Sequence, residues 1–372
     1  MDIKSASNFR IPPSPDQFEV TLIGTGGGYG ESVVVHLGNN EWIIIDSCKD
    51  PNSGSVLPLE YFNSIGINPA DSVKLIVCTH WHDDHILGMS KILESCPNAE
   101  IVFARVNDTK KFLRLVGLDH SKIKAIGSIS STKEFNNCLD IIEKRGKNIK
   151  VATIDRLLYK TQVDHEVVCE VHALSPSDEA IAKFDDEISM LITEYGDSRK
   201  KIVIDSPNDK SVVIYLRLGM QKVLLGADLE VTSSPNNGWL DIINNSVTVR
   251  DERASYFKIS HHGSENGYHK DIWLNLLEDN PCGTLTPWNR GNGLPTPEMI
   301  RKLRDHSDSL YITSPKLGRS KAKKRDRDIQ KIIEKFKFKL GEIKFNKGII
   351  RSRRKNGESK WDIEVFESAL KI

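Results

Sequence analysis

Short apolar runs rich in Val and Ile, separated by glycine and polar turns, dominate the first hundred residues. "FEVTLIG" and "ESVVVHLG" read as strands joined by the glycine-rich "TGGGYG", and "EWIIIDSC" reads as a third strand. "PLEYFNSIG" has helical spacing, "SVKLIVCT" is a buried strand, "HILGMSKILESC" a helix and "AEIVFAR" the next strand. Further on, "EFNNCLDIIEKRG" and "DEAIAKFDDEISMLITEYGDSRKK" carry helical periodicity, and "EVVCEVHALSPSD" is a strand running into a turn. "SVVIYLRLGMQKVLLGADLE" gives two strands about a Gly-Met-Gln-Lys turn. Strand, loop and helix recur in "ASYFKISHHGSENGYHKDIWLNLL" and again in "CGTLTPWNRGNGLPTPEMIRKLRDHSDSLYITS". "GIIRSRRKNGESKWDIEVFESA" reads as a terminal hairpin that buries Trp361, Ile363 and Val365 on one alternating face. Strands and helices alternating in two halves, without an internal repeat, predict a layered α/β domain.

The 372 residues carry a net charge of +1, so no whole-molecule field draws the chain to polyanions. No apolar run approaches the roughly 20 residues that span a bilayer, and "MDIKSASNFRIPPSPDQ" has no apolar core of a secretion signal; a cytoplasmic protein is expected. Six scattered cysteines without a Cys-x-x-Cys pair suit reduced thiols. The glycine run invites a phosphate-loop reading, but such loops lead into a helix and this one leads into a strand. A hairpin at the entrance of a site is the better account.

"CTHWHDDHILG" concentrates three histidines and two aspartates after a buried strand. If the strand end stays extended, His80 and His82 share a face and form a two-histidine clamp. Asp84 and His85 then turn back at the start of the next helix, where they can hold a second cation. Imidazole with carboxylate is the ligand set of zinc, manganese or iron hydrolase centres.

Thr79 to Gly88 also resembles the T-H-x-H-x-D-H-x-x-G signature of the metallo-β-lactamase superfamily. The resemblance extends to Asp46 at the end of "WIIIDSC", to Asp228 in "VLLGADLE" as the aspartate that bridges two metals, and to His262 in "KISHHGS" as the last histidine ligand. Within the superfamily, residues from about 19 to 314 resemble the hydrolase domain of ComEC competence proteins and related stand-alone hydrolases. The resemblance implies a four-layer αββα sandwich, assigned to residues 1–315 with 107–165 as a weakly assigned insertion; charge and the terminal hairpin pattern mark 316–372 as a basic C-terminal extension ending in a hairpin, expected to pack on the same domain. The resemblance also implies a dinuclear centre with His80 and His82 on one metal, Asp84, His85 and His262 on the other, and Asp228 between. The metals it implies are two divalent ions, zinc first and manganese second. Asp46, Asp84 and His262 are the candidate catalytic residues, Asp46 orienting the attacking water or accepting its proton. The superfamily's further histidine has only His172 as a counterpart, in a strand where alternation leaves its direction open.

Of the adjacent pair His261 and His262, the second is favoured as the ligand. His269 reads as a surface histidine, Trp81 as a core residue, and Asn289 or Arg290 as a candidate phosphate contact. From Lys316 to Lys355 there are 17 Lys or Arg against 4 Asp or Glu, the footprint of a polyanion partner or else a solvated helix. These features together predict a metal-dependent phosphodiesterase or nuclease acting on DNA, RNA or a nucleotide. The alternatives are a hydrolase of another ester, such as a phosphocholine ester, lactone or thioester, and a metal-stabilised sensor or scaffold. No membrane partner is expected.

Overall fold

The computed structural model describes residues 9–28, 30–80, 82–107, 131–146, 149–163, 166–195, 207–289, 293–315 and 347–372. In chain order the strands are β1 (Gln17–Gly24), β2 (Glu31–His36), β3 (Trp42–Ile45), β4 (Val73–Cys78), β5 (Glu100–Ala104), β6 (Lys150–Ala152), β7 (Arg156–Val163) and β8 (Glu166–Ala173). There follow β9 (Ile214–Leu218), β10 (Gln221–Leu225), β11 (Ala254–Lys258), β12 (Leu277–Leu285), β13 (Leu310–Ile312), β14 (Gly348–Lys355), β15 (Asp362–Glu367) and β16 (Leu370–Lys371). They form two eight-stranded sheets. Sheet one runs β15-β14-β1-β2-β3-β4-β5-β6 and sheet two runs β16-β13-β12-β11-β10-β9-β8-β7. Both are mixed: β3 to β6 are parallel in the first and β10 to β13 in the second, and the flanking pairs are antiparallel.

Burial of both sheet faces explains why the strands are nearly continuous apolar runs. In β3, Ile43 and Ile45 point between the sheets, where Leu75, Val77, Leu216 and Val223 meet them. Trp42 and Ile44 point the other way, onto Tyr61, Phe62 and Ile92 of the outer layer. Helices Leu57–Ser64, Met89–Ser95, Ser131–Arg145 and Asp178–Tyr195 cover sheet one. Gly238–Asn245, a π-helical turn at Ile272–Leu276, and Pro297–Arg304 cover sheet two. The architecture is the expected αββα sandwich.

Local differences from the sequence reading have physical causes. "HILGMSKILESC" forms two helices, Asp83–Ile86 and Met89–Ser95, because Gly88 between them adopts φ +98°. A side chain there would also press on Ser47 Oγ, at 2.9 Å. "DIWLNLL" makes only one π-helical turn before β12 begins at Leu277. In the terminal hairpin Trp361 and Ile363 pack on the inter-sheet core, whereas Val365 on the edge strand is 38% exposed. The buried residue at that end is Phe366, against Phe9 on the opposite face.

The basic C-terminal stretch is less uniform than its composition implies. Residues 316–346 lie outside the described residues. Arg351, Arg353 and Arg354 are buried in β14; Arg351 pairs with Glu364 at 2.6 Å and Arg353 with Glu19 at 2.7 Å. Arg351 and Arg353 are therefore internal counter-charges, and Arg354 donates to the Glu358 carbonyl and the Ser255 hydroxyl; none of the three is part of an exposed stripe. The strands of this region also enter the sandwich itself, β14 and β15 in sheet one and β16 in sheet two. All six cysteines are buried and unpaired. Among the described residues no helix is long and apolar enough to cross a membrane.

Candidate metal centre

One half of the site grows from the ends of β3 and β4. The chain leaves β3 at Asp46, whose φ of +59° turns its carboxylate back toward β4. There Asp46 Oδ1 accepts from the Thr79 amide at 2.8 Å and Oδ2 from the Thr79 hydroxyl at 2.7 Å. Oδ2 also lies 2.7 Å from His85 Nδ1. With one ring nitrogen fixed in this way, His85 presents Nε2 to the interior, 3.3 Å from Asp228 Oδ2 and 3.8 Å from Asp84 Oδ2. The rings of His80 and His82 are adjacent, with centroids 4.2 Å from His85 to His80 and 5.0 Å from His80 to His82. The glycine turn closes on this half: a Cβ on Gly30 would sit 2.7 Å from the Asp84 carbonyl oxygen.

Sheet two supplies the other half. Asp228 follows β10, and His262 follows β11 in a short turn where both His261 and His262 have positive φ. His262 Nδ1 lies 3.2 Å from the Thr286 carbonyl and hydroxyl oxygens, leaving Nε2 3.5 Å from Asp84 Oδ2 and 3.6 Å from Asp228 Oδ2. Asp84, His85, Asp228 and His262 thus each offer one ligand atom, all within 4.8 Å of one another, and all four residues are buried.

Charge and hydrogen bonding both fit a cation at this point. Buried His80 Nε2, His85 Nε2 and Asp228 Oδ1 make no hydrogen bond, which is costly for polar atoms out of water. Burial holds His80 well below the usual histidine range and lowers His82 too, favouring the neutral imidazole that a metal requires. For His85, burial works downward but is outweighed by Asp228, Asp46 and Asp84, which hold it well above that range. Burial likewise pushes Asp228 upward, and His85 and His262 overcome it and keep the carboxyl ionised. The backbone is strained here as well: Asp46, Ala227, His261 and His262 are left-handed without being glycine, each at a cost of about 1–3 kcal/mol. Such conformations concentrate where a function over-determines them.

Other sequence candidates lie elsewhere. His172 is on the outer face of sheet two, opposite to Val171 and Ala173 in the inter-sheet core, with Nε2 3.1 Å from Glu170 and 3.3 Å from Arg217. It does not reach the cluster. His261 turns away to Glu230, at 3.1 Å, and His269 to Asp271, at 3.7 Å. Asn289 donates to the Gly26 carbonyl at 2.7 Å and so fastens the mouth of the site to the glycine turn. Trp81 and Arg290 lie outside the described residues. Asp46 differs from its expected role at the water, since both its oxygens are engaged with Thr79 and His85. Missing from the sequence reading are Glu31, Lys258 and Thr286, buried directly beneath Asp228 and His262. The one charged residue of the fully buried β11, Lys258, was the available signal.

Residues 25–117 match the family model described as Metallo-beta-lactamase superfamily. No curated protein matches the chain. Among solved structures, the chain is similar to the metallo-beta-lactamase fold protein YhfI from Bacillus subtilis, at 12% identity and TM-score 0.39, covering 82% of this chain and 98% of that one. It is also similar to the metallo-beta-lactamase SMB-1, at 13% identity and TM-score 0.33, covering 68% of this chain and 82% of the other. For the dizinc quorum-quenching lactonase AidC the figures are 16% and 0.31, covering 53% and 55%. The segment from the glycine turn through the histidine cluster is therefore similar to the metallo-beta-lactamase superfamily, and the two mixed sheets with their helices are the αββα sandwich of that fold.

Proposed function

We propose that the chain is a metal-dependent hydrolase with two divalent ions, zinc first and manganese second, and that its substrate is a phosphodiester of a nucleic acid or nucleotide. The observation that carries this reading is the convergence of four buried ligand atoms within 4.8 Å beside two further histidines. Cations bound there would polarise a substrate oxygen and lower the pKa of water from 15.7 toward about 7. The protein's own part is positional. His80 and His82 hold one side of the centre, Asp84, His85 and His262 the other, with Asp228 between them. Asp46 keeps the His85 ring fixed through Nδ1, an outer-layer role that orients a ligand. Asp84, with a side chain 12% exposed against 3% for Asp228, is the carboxylate nearer solvent, and against its burial His85 and His262 hold it ionised, as a ligand must be.

The choice of phosphodiester rests on the ComEC-like resemblance and on the excess of Lys and Arg in 316–346. Elemental analysis combined with hydrolysis of a bis-nitrophenyl phosphodiester tests it: about two metals per chain are expected, with turnover abolished in His82→Ala. Two metals without turnover would transfer the reading to a carboxylic ester, a thioester or a sensor role, and a metal-free chain would end it. Gln at Lys323, Lys324, Arg325 and Arg327 should weaken nucleic-acid binding and reduce its salt slope by up to about 0.9 per charge; an unchanged slope would return that stretch to a solvated surface. A cytoplasmic location belongs to the same proposal.

A further inference from the structure

The ligand atoms come from two sheets, so what joins those sheets beneath them sets their spacing. Lys258 ends β11 in sheet two and points between the sheets, as Tyr256 does two residues earlier. There it forms an ion pair with Glu31, the first residue of β2 in sheet one, both side chains being at most 3% exposed. The same ammonium donates to the Ala227 carbonyl at 3.0 Å and lies 3.8 Å from Asp228 Oδ1. The other Glu31 oxygen accepts from the Thr286 hydroxyl, and that hydroxyl is 3.2 Å from His262 Nδ1. Gly30, next to Glu31, is pressed against the backbone of Asp84. One continuous path thus links Asp228, Lys258, Glu31, Thr286 and His262, and abuts Asp84.

We propose that the Glu31–Lys258 bridge is a positioning device that holds Asp228 and His262 of sheet two against Asp84 and His85 of sheet one, and thereby sets the affinity of the centre for its second cation. This rests on the metal-dependent reading above. A buried ion pair is weak support for stability, because its desolvation offsets its attraction; well-packed apolar residues often serve equally well. A lysine alone beside a ligand carboxylate would also repel a metal. Paired with Glu31 it contributes no net charge, so what it adds to the centre is geometry. Asp228 Oδ1 faces the bridge, leaving Oδ2 toward His85 and His262.

The test is calorimetric titration of the metal-free full chain with zinc or manganese, alongside its thermal midpoint without metal. Glu31→Leu combined with Lys258→Met removes both charges at once, so the net charge beneath the centre is unchanged. The expected result is a folded variant whose affinity for one of two metals falls about 10- to 100-fold. Glu31→Gln, which keeps one acceptor oxygen for two donors and leaves the Lys258 charge uncompensated beside Asp228, should weaken the same binding step as well. Should the double variant not fold, Thr286→Val cuts one link of the path and should weaken the same binding step to a smaller extent. A lower thermal midpoint with unchanged metal affinity would overturn the inference while leaving the hydrolase reading intact. A wild-type chain that takes up no metal would overturn the reading itself, and the inference with it.

Discussion

Two of the histidine–carboxylate clusters among the described residues, one on the outer face of sheet two and one between the strand ends, differ in whether the protein supplies their cation. On the outer face of sheet two, Glu170, His172 and Glu252 surround Arg217, which donates to Glu170 at 2.5 Å, to Glu252 at 2.9 Å and to the Thr248 carbonyl at 2.9 Å. The guanidinium is resident, fixed in charge and shaped for carboxylates. Between the strand ends, Asp84, His85, Asp228 and His262 converge on a common point, and the nearest lysine is committed to Glu31. A residue census would score the clusters alike. The difference is that one set of acids is neutralised by a resident guanidinium, while the other sets its ligand atoms within 4.8 Å of one another beside a lysine that is paired with Glu31.

That contrast is sharpest for Asp228→Ala, which should lose most bound metal and turnover, a larger loss than the about 100-fold expected of an outer-layer change. His172→Ala should leave metal content and turnover as they are, and metal loss there would break the comparison. Asp46→Ala comes next: it frees the His85 ring without removing a ligand, so metal affinity should fall about 10- to 100-fold with part of the metal retained. Equal metal loss in the Asp46 and Asp228 variants would sink this division of roles. Metal removal should rank third. At about 100 times its Kd a bound ion adds about 2.7 kcal/mol to stability, so a chelator should lower the melting temperature of wild type but not of Asp228→Ala. The smallest effect is expected for Arg217→Met, about 1 kcal/mol because its partners are part-exposed, with metal binding unchanged.

How far the sequence carried this picture depended on how local each feature is. The strands of sheet one and the run His80 to His85 were legible because apolar runs buried on both faces and a compact ligand motif are each contiguous in sequence. Asp228 and His262 were reached only through resemblance, since nothing local distinguishes an aspartate after "VLLGA" as one that faces histidines on the other sheet. Alternation gave the two possible directions of His172 but not which face was inside; the position of Arg217 on the neighbouring strand decides it. The pairing of Glu31 with Lys258 was illegible for the same reason in stronger form, as it exists only once the sheets are stacked. The helix Gly238–Asn245 went unread although its signals are present: an Asn237 cap and Trp239, Ile242 and Ile243 at helical spacing. The arginines of β14 show the opposite error, in which composition implied a surface and pairing put the charges inside.

The placement of β14 has a consequence for biosynthesis. Strand β1 lies between β2 and β14, so it hydrogen-bonds to residues made only after every proposed ligand. Every proposed ligand has emerged from the ribosome by His262, yet until Gly348–Lys355 follows, β1 presents an unsatisfied edge and Glu19 lacks Arg353. Completion of sheet one therefore waits for the synthesis of β14, and a nascent chain stalled before it would hold the complete ligand set on an incomplete frame that is open to strand pairing with other chains.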